Sequence, residues 1–109
     1  MTGWTLLAFA IAAEVIGTTA LRAANGLTRV VPVTVTTVAY LASFALLALT
    51  LKHLSLGTTY AIWSGVGTVA IAFIGRAVYH ELISFATAAG IAFVIVGVVL
   101  IHVGGGVSR

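Results

Sequence analysis

The stretch AIAAEVIGTTAL, residues 10–21, places a carboxylate, Glu14, in a run of apolar and small residues that begins at Trp4. The first basic residue after it is Arg22, so the run itself holds no cation that would neutralise the carboxylate. A helix of about 18 residues, rising about 1.5 Å per residue, crosses a hydrocarbon core of about 30 Å. The stretch therefore predicts a membrane-spanning helix with an ionisable group inside it.

The composition of the whole chain is that of a membrane protein. The chain has 109 residues, is 61% hydrophobic and 6% charged, and has a mean hydropathy of +1.25. A soluble domain carries roughly 25% charged residues, so we do not expect a water-soluble monomer. The five basic residues are scattered singly and form no patch, which argues against nucleic-acid binding. The absence of cysteine excludes disulfides and thiolate metal sites.

Four apolar runs divide the chain, separated by short polar segments such as RAANGLTR. The runs lack the alternating polarity of barrel strands, and only helices or closed barrels satisfy the backbone in lipid. No basic segment precedes the first run, so we expect it to be retained as a span rather than removed as a signal peptide. We predict an all-α integral membrane protein with a single domain of four transmembrane helices, over residues 4–21, 30–51, 58–75 and 85–103.

The basic residues give a weak signal for orientation. Arg22, Arg29 and Arg76 fall in the first and third loops, whereas Lys52 and Arg109 fall on the other side of the membrane. Positive charge favours the cytoplasmic side, but so small a difference leaves two interpretations open. Either the chain has dual topology and pairs as an antiparallel dimer, or the small excess fixes both termini outside.

Glu14 is the charged residue nearest the middle of a predicted span. An ionised carboxylate at that depth costs about 3 kcal/mol on insertion scales, and such residues are usually functional. Its counterpart is then a proton or a cation from outside the protein; the alternative is a protonated glutamate that hydrogen-bonds between helices. Residues three, four or seven positions away share its helical face, and we expect them to line a substrate pocket: Leu7, Ala10, Ile11, Gly17 and Thr18.

The character of this helical face indicates the kind of ligand. Its residues are mostly small and apolar, which favours a bulky apolar cation over a metal ion that needs several oxygen, nitrogen or sulfur ligands. The three histidines are isolated from one another and form no ligand cluster. We expect no metal and no cofactor, and a proton gradient as the energy source.

Aromatic residues in the third run favour the same kind of ligand. Tyr60, Trp63 and Ser64 share a helical face, and tyrosine and tryptophan rings attract organic cations. An interfacial aromatic belt is the alternative, above all for Tyr60. We also assign Tyr40 and Phe44 of the second run to the pocket, although taken alone they are typical of ordinary packing.

Glycines in the last two runs allow two interpretations each. Gly65 and Gly67 lie close together, as at a helix hinge, but glycines also permit close helix packing. Gly90, Val94 and Gly97 share one face of the fourth run, where small residues let helices approach in lipid. We predict that this face packs against a second copy of the chain; packing within one chain is the alternative.

The motifs together resemble those of a known family. The similarity to small multidrug resistance transporters covers nearly the whole chain. It is carried by AEVIGTTALR around Glu14, GLTR after it, YLASFALLALTLKHLSLGTTYAIWSGVGTV through the second and third runs, and GIAFVIVGVVLI in the fourth. The resemblance implies a multi-pass protein of the bacterial inner membrane, surrounded by lipid, that works as a proton-coupled antiporter and an antiparallel homodimer.

The resemblance also implies roles for individual residues. In this family the membrane glutamate, here Glu14, binds proton and substrate in competition. The other family positions fall on residues already singled out: the aromatic pocket on Tyr40, Tyr60 and Trp63, the dimer glycines on Gly90 and Gly97, and the glycine motif of the third span on Gly65 and Gly67.

Two short motifs bear on the subgroup. EVIGTT and AIWSGVG resemble the quaternary ammonium and multidrug group, whereas guanidinium exporters usually have a tryptophan shortly after the glutamate, where this chain has Gly17. Arg76 departs from the family pattern, in which an apolar or aromatic residue is common at this position.

We predict export of lipophilic or quaternary ammonium cations, with Glu14 exchanging a proton for the substrate. A guanidinium-type exporter, a small structural or regulatory membrane protein and an uncoupled pore are the alternatives; an enzyme is least expected, because the sequence offers no nucleophile–base pair.

Overall fold

The computed structural model describes residues 3–106. Its four α-helices are α1 (Gly3–Ala23), α2 (Val30–Thr50), α3 (Leu56–Val78) and α4 (Phe85–Val103). Each is long and apolar enough to cross a membrane. The prediction of an all-α membrane protein with four spans is confirmed. Arg109, one of the charges used to predict orientation, lies outside the described residues.

Serine caps fix the starts of the last two helices. The Ser55 hydroxyl accepts a hydrogen bond from the backbone N–H of Thr58 at 3.2 Å, so α3 begins at Leu56 rather than at the predicted residue 58. Ser84 does the same for α4, accepting from the N–H of Thr87 at 3.1 Å. Such caps satisfy backbone donors that the first helical turn leaves without partners. Both caps have the spacing Ser-x-x-Thr, which marks a helix start in the sequence and is not visible in the hydropathy.

The chain divides into two compact units, which we call the first unit (α1 and α2) and the second unit (α3 and α4). In the first unit α1 packs against α2 and carries most of the buried apolar side chains, among them Leu6, Leu7 and Ile11. The start of α1 lies close to the end of α2, since a Cβ atom at Gly3 would be 2.7 Å from the Cβ of His53.

A tight turn joins the two helices of the first unit. Asn25, Gly26 and Leu27 have φ angles of +50°, +71° and +70°, a left-handed conformation that asparagine and glycine tolerate well. The Ala24 carbonyl accepts hydrogen bonds from the N–H groups of Thr28 and Arg29, at 2.9 and 3.2 Å. The Asn-Gly pair in the sequence therefore marks the turn, and α2 starts immediately after it.

The second unit is packed less deeply. Helix α4 contains no buried residue within the described range, although α3 buries Thr59, Ile62 and Gly67 among others. Between the helices lies an apolar cavity of about 240 Å³, lined by Gly65, Val66, Val69, Ala70, Ile95, Val98 and Val99. The second unit thus leaves much apolar surface uncovered within a single chain.

Candidate functional site

The carboxylate of Glu14 is half-buried in the middle of α1. Its Oε1 atom accepts a hydrogen bond from the hydroxyl of Thr18, one turn further along the helix, at 2.9 Å. Within residues 3–106, this hydrogen bond is the one polar contact that the Glu14 side chain makes. An intramembrane carboxylate that is held by one hydroxyl retains capacity for a proton or a cation.

The Thr18 hydroxyl also reaches the second helix. Its oxygen lies 2.6 Å from the hydroxyl oxygen of Tyr40 in α2. The three side chains therefore form a continuous hydrogen-bonded chain, from the carboxylate of Glu14 through Thr18 to Tyr40. Tyr40 and Thr18 were predicted to line the pocket with Glu14, and the structure brings all three together in the first unit.

Two further hydroxyls of α2 bond to the backbone of α1 beside Glu14. Ser43 donates to the Ala10 carbonyl at 2.7 Å. Thr36 shares its one hydroxyl proton between the Gly17 carbonyl at 3.0 Å and the Pro32 carbonyl of its own helix at 2.9 Å. Both side chains are buried. These contacts fix the backbone of α1 on each side of Glu14 along the helix.

The role of Ser43 was not predicted from the sequence. A signal for it exists, because Thr36, Tyr40 and Ser43 are spaced by four and three residues and so lie on one face of α2. Three hydroxyl groups on one face of an apolar helix indicate polar contacts with a neighbouring helix, since lipid offers them no partner.

The remaining residues predicted for the α1 and α2 part of the pocket differ in exposure. Leu7, Ala10 and Ile11 are buried in the folded chain, with Leu7 only 1% exposed. Phe44 is 58% exposed. Their contact with a substrate stays a prediction.

In the second unit, Tyr60 and Trp63 form an aromatic pair in α3. Their ring centroids are 5.7 Å apart and their planes are tilted by 55°. Tyr60 is exposed and Trp63 is half-buried, and Ser64, the third predicted residue of this face, is exposed. The negative faces of such rings attract an organic cation, whereas their edges carry partial positive charge.

The glycines of α3 lie in a continuous helix. A Cβ atom at Gly65 would be 2.5 Å from a methyl group of Val98 and 3.4 Å from one of Val94, so this glycine permits close packing of α3 and α4. The helix continues without interruption through Gly67. Packing, one of the two interpretations of Gly65, therefore has a structural basis, and the hinge stays a prediction.

The glycines of α4 have no such packing role in one chain. A Cβ atom at Gly90 or Gly97 would meet no heavy atom within 4 Å in the described part of the molecule. Val94, between them, lies near Gly65 of α3. The dimer-packing prediction for Gly90, Val94 and Gly97 stays a prediction, and the open space at both glycines is compatible with it.

The described residues contain no group of three or more histidine, cysteine or acidic side chains that could hold a metal ion. The chemistry available at the site is therefore that of a carboxylate, hydroxyl groups and aromatic rings.

Fold and site define a multi-pass membrane protein with an ionisable group inside its first span. A model of the family described as "Small Multidrug Resistance protein" matches residues 2–103. The chain is 41% identical over 106 residues to "Nicotine metabolites export pump subunit NepA" of Paenarthrobacter nicotinovorans, covering 97% of this chain and 91% of that protein. It is 39% identical to "Multidrug transporter EmrE" of Escherichia coli (strain K12) and 35% identical to "Quaternary ammonium compound-resistance protein QacE" of Escherichia coli. Each of these two matches extends over 102 residues, 94% of this chain and 93% of the relative.

The chain belongs to the small multidrug resistance family, as its sequence motifs indicate. It is a multi-pass transporter of the bacterial inner (plasma) membrane and not an enzyme.

Proposed function

We propose that this chain exports lipophilic or quaternary ammonium cations in exchange for protons, with Glu14 as the shared binding group. Family membership supports multidrug efflux as the general activity. The observation that carries the finer proposal is the half-buried Glu14 carboxylate, inside an apolar span, with a hydrogen bond from Thr18 as its polar contact in the described residues.

Competition at one carboxylate is sufficient for exchange. A protonated Glu14 is neutral and offers no charge to attract a cation, whereas an ionised Glu14 costs energy in the membrane unless a cation sits beside it. Proton and cation therefore each stabilise a state that excludes the other. If the binding site opens to the other side of the membrane only when Glu14 holds a proton or a cation, a proton gradient drives the cation outward. No covalent step is required.

Two observations support organic cations as the substrate class. The Tyr60–Trp63 pair offers aromatic surface that attracts delocalised and quaternary cations. Two relatives have names that refer to quaternary ammonium compounds and to nicotine metabolites.

Gly17 favours this class over a guanidinium-type exporter. A Cβ atom at Gly17 would lie 2.6 Å from two ring carbons of Tyr40. The tryptophan that guanidinium exporters usually carry near this position would therefore require Tyr40 to move away from Thr18. The arrangement of α1 and α2 in this chain suits the quaternary ammonium and multidrug group.

We also propose that the working form is an antiparallel homodimer. Helix α4 has no buried residue in the described range, and both Gly90 and Gly97 have open space beside them. Two glycines seven residues apart let a partner helix approach closely in lipid. A second copy of the chain, with its own α4, is the partner that fits this face.

A non-transporting membrane protein and an uncoupled pore would each behave differently from an antiporter. A structural or regulatory membrane protein would retain its function when Glu14 is replaced by glutamine. An uncoupled pore would conduct ions without exchanging substrate for protons.

The test is transport by the protein reconstituted in liposomes under an imposed pH gradient. We expect wild type to accumulate a quaternary ammonium dye with the gradient, and Glu14→Gln to lose at least about 100-fold of that uptake, the equivalent of about 2.7 kcal/mol. Glu81→Gln is the matched control, because Glu81 is the other acidic residue of the chain and is exposed outside the helices; it should transport as wild type does. Gradient-independent uptake by wild type, or full uptake by Glu14→Gln, would contradict the proposal.

A further inference from the structure

The side chain of Tyr40 lies across Gly17. A Cβ atom added at Gly17 would be 2.6 Å from both the Cδ1 and Cε1 atoms of the tyrosine ring, and 3.3 Å from the Cβ of Ala39. Carbon atoms do not approach so closely without bonding, so any residue larger than glycine would displace the ring. The Thr36 hydroxyl also lies 3.0 Å from the Gly17 carbonyl, and it shares its single proton between that carbonyl and the Pro32 carbonyl of its own helix at 2.9 Å.

The direction of each hydrogen bond in the Glu14–Thr18–Tyr40 chain follows from the number of protons. A threonine hydroxyl has one proton, and Thr18 donates it to the carboxylate oxygen of Glu14. While Glu14 is ionised, the 2.6 Å contact between Thr18 and Tyr40 therefore has Tyr40 as the donor. A hydroxyl that accepts one hydrogen bond becomes a stronger donor in the next, so Tyr40 strengthens the bond from Thr18 to Glu14.

We propose that Gly17 is a positioning residue that seats the Tyr40 ring, so that Tyr40 acts on Glu14 through Thr18. The inference rests on the proposed role of Glu14 in exchange. From helical spacing alone, Gly17 is predicted to line the substrate pocket. In the structure its role is instead to leave room for the ring of Tyr40 in the neighbouring helix. The chain of hydroxyls occupies one carboxylate oxygen of Glu14 and leaves the second for a proton or a cation.

The two roles of Gly17 differ in how they depend on Tyr40. If Gly17 lines the pocket, a methyl group at position 17 contacts the substrate whether or not Tyr40 is present. If Gly17 seats the ring, the methyl group matters only while the ring is there. A double-mutant cycle separates the two because it measures whether the effects are independent.

The experiment compares initial rates of gradient-driven dye uptake for Gly17→Ala, Tyr40→Ala and the double variant in liposomes. We expect each single variant to lose about tenfold, the upper end of the effect of one hydrogen bond between neutral groups. The double variant should be no slower than Tyr40→Ala. A loss of about 100-fold in the double variant, the product of the single effects, would overturn the proposal.

Three further variants test the hydroxyl chain itself. Tyr40→Phe keeps the ring and removes the donor, and Thr18→Val removes the central hydroxyl; both should lose about tenfold. Thr18→Ser keeps the hydroxyl and should retain most of the wild-type rate. A Thr18→Ser rate as low as that of Thr18→Val would show that the methyl group and not the hydroxyl matters, against the proposal.

Folding is monitored for every variant by the thermal unfolding midpoint in detergent. Ala12→Val is the control for added volume, because Ala12 is exposed on the same helix. If Gly17→Ala does not fold, recovery of the fold on adding Tyr40→Ala supports the proposal that Gly17 makes room for the Tyr40 ring. Persistent unfolding of the double variant contradicts it.

The failure of this inference can be told apart from the failure of the proposed function. Loss of uptake in Glu14→Gln together with independent effects of Gly17 and Tyr40 would refute this inference alone. Full uptake in Glu14→Gln would refute the proposed function.

Discussion

The two units of this chain are both helical pairs, yet they are held together differently. In the first unit, hydroxyl groups of α2 bond to α1 at three places, the Ala10 carbonyl, the Gly17 carbonyl and the Thr18 side chain. In the second unit, valine methyl groups of α4 pack against Gly65 of α3, and α4 buries no residue in the described range.

The difference has a physical origin in the lipid environment. Apolar side chains gain little from leaving lipid for one another, so helices associate there through close packing and interhelical hydrogen bonds. The first unit uses both and surrounds Glu14 with them. Both units expose large apolar side chains, such as Phe44 in the first and Phe93 in the second, but α4 is the helix that buries no residue in the described range. The first unit thus holds the region around Glu14 in place, whereas the second leaves α4 free to contact lipid or another copy.

The largest effect should come from overpacking the first unit. Ala10 is fully buried where Ser43 meets α1, so Ala10→Leu should destabilise the fold by about 1–3 kcal/mol. The same change at the exposed Ala92 of α4 should leave the fold nearly unchanged. Reversible unfolding in mixed detergent measures both. Equal losses at the two sites would mean that the two units do not differ in packing.

An intermediate effect is expected on association rather than on folding. Gly90→Leu fills open space on α4, so the isolated chain should unfold as wild type does while the dimer dissociates about tenfold more readily, about 1.4 kcal/mol. Dimer dissociation followed by fluorescence energy transfer in lipid reports the change. Unaltered dissociation would show that this face of α4 is not the interface.

The smallest effect should follow the loss of one interhelical hydrogen bond. Ser43→Ala removes the bond to the Ala10 carbonyl and should cost about 0.6 kcal/mol, the average for such bonds in membranes. Thr37→Val is the control, since the exposed Thr37 hydroxyl bonds within its own helix, to the Val33 carbonyl. If Thr37→Val destabilises the protein as much as Ser43→Ala does, the hydroxyls of the first unit have no special role.

Much of the fold could be predicted from the sequence because hydropathy and length are strong signals for membrane spans. The position of Glu14 inside a span could be predicted for the same reason, since a carboxylate stands out in an apolar run; its role in exchange stays a prediction. The individual hydrogen bonds across the helix pair could not be predicted, although a shared hydroxyl face of α2 could be, because the bonds depend on the rotation of α2 about its own axis. That rotation turns Tyr40 and Ser43 toward α1 and leaves Phe44 exposed, although Tyr40 and Phe44 share a face by spacing.

Gly17 illustrates the same limit. Its place one turn from Glu14 was visible in the sequence, but its contact with the ring of Tyr40 in the next helix was not. A glycine carries no side chain from which a neighbour can be inferred. Only the positions of the two backbones show what occupies the space beside it.

Proton release on substrate binding tests the exchange at Glu14 most directly. Purified protein in weakly buffered detergent solution is mixed with a saturating quaternary ammonium cation, and the released protons are counted with a pH indicator. We predict release from wild type and from Glu81→Gln, and none from Glu14→Gln. Binding of the cation to wild type without release of protons, at any pH at which Glu14 holds a proton, would contradict the exchange of proton for substrate at this carboxylate.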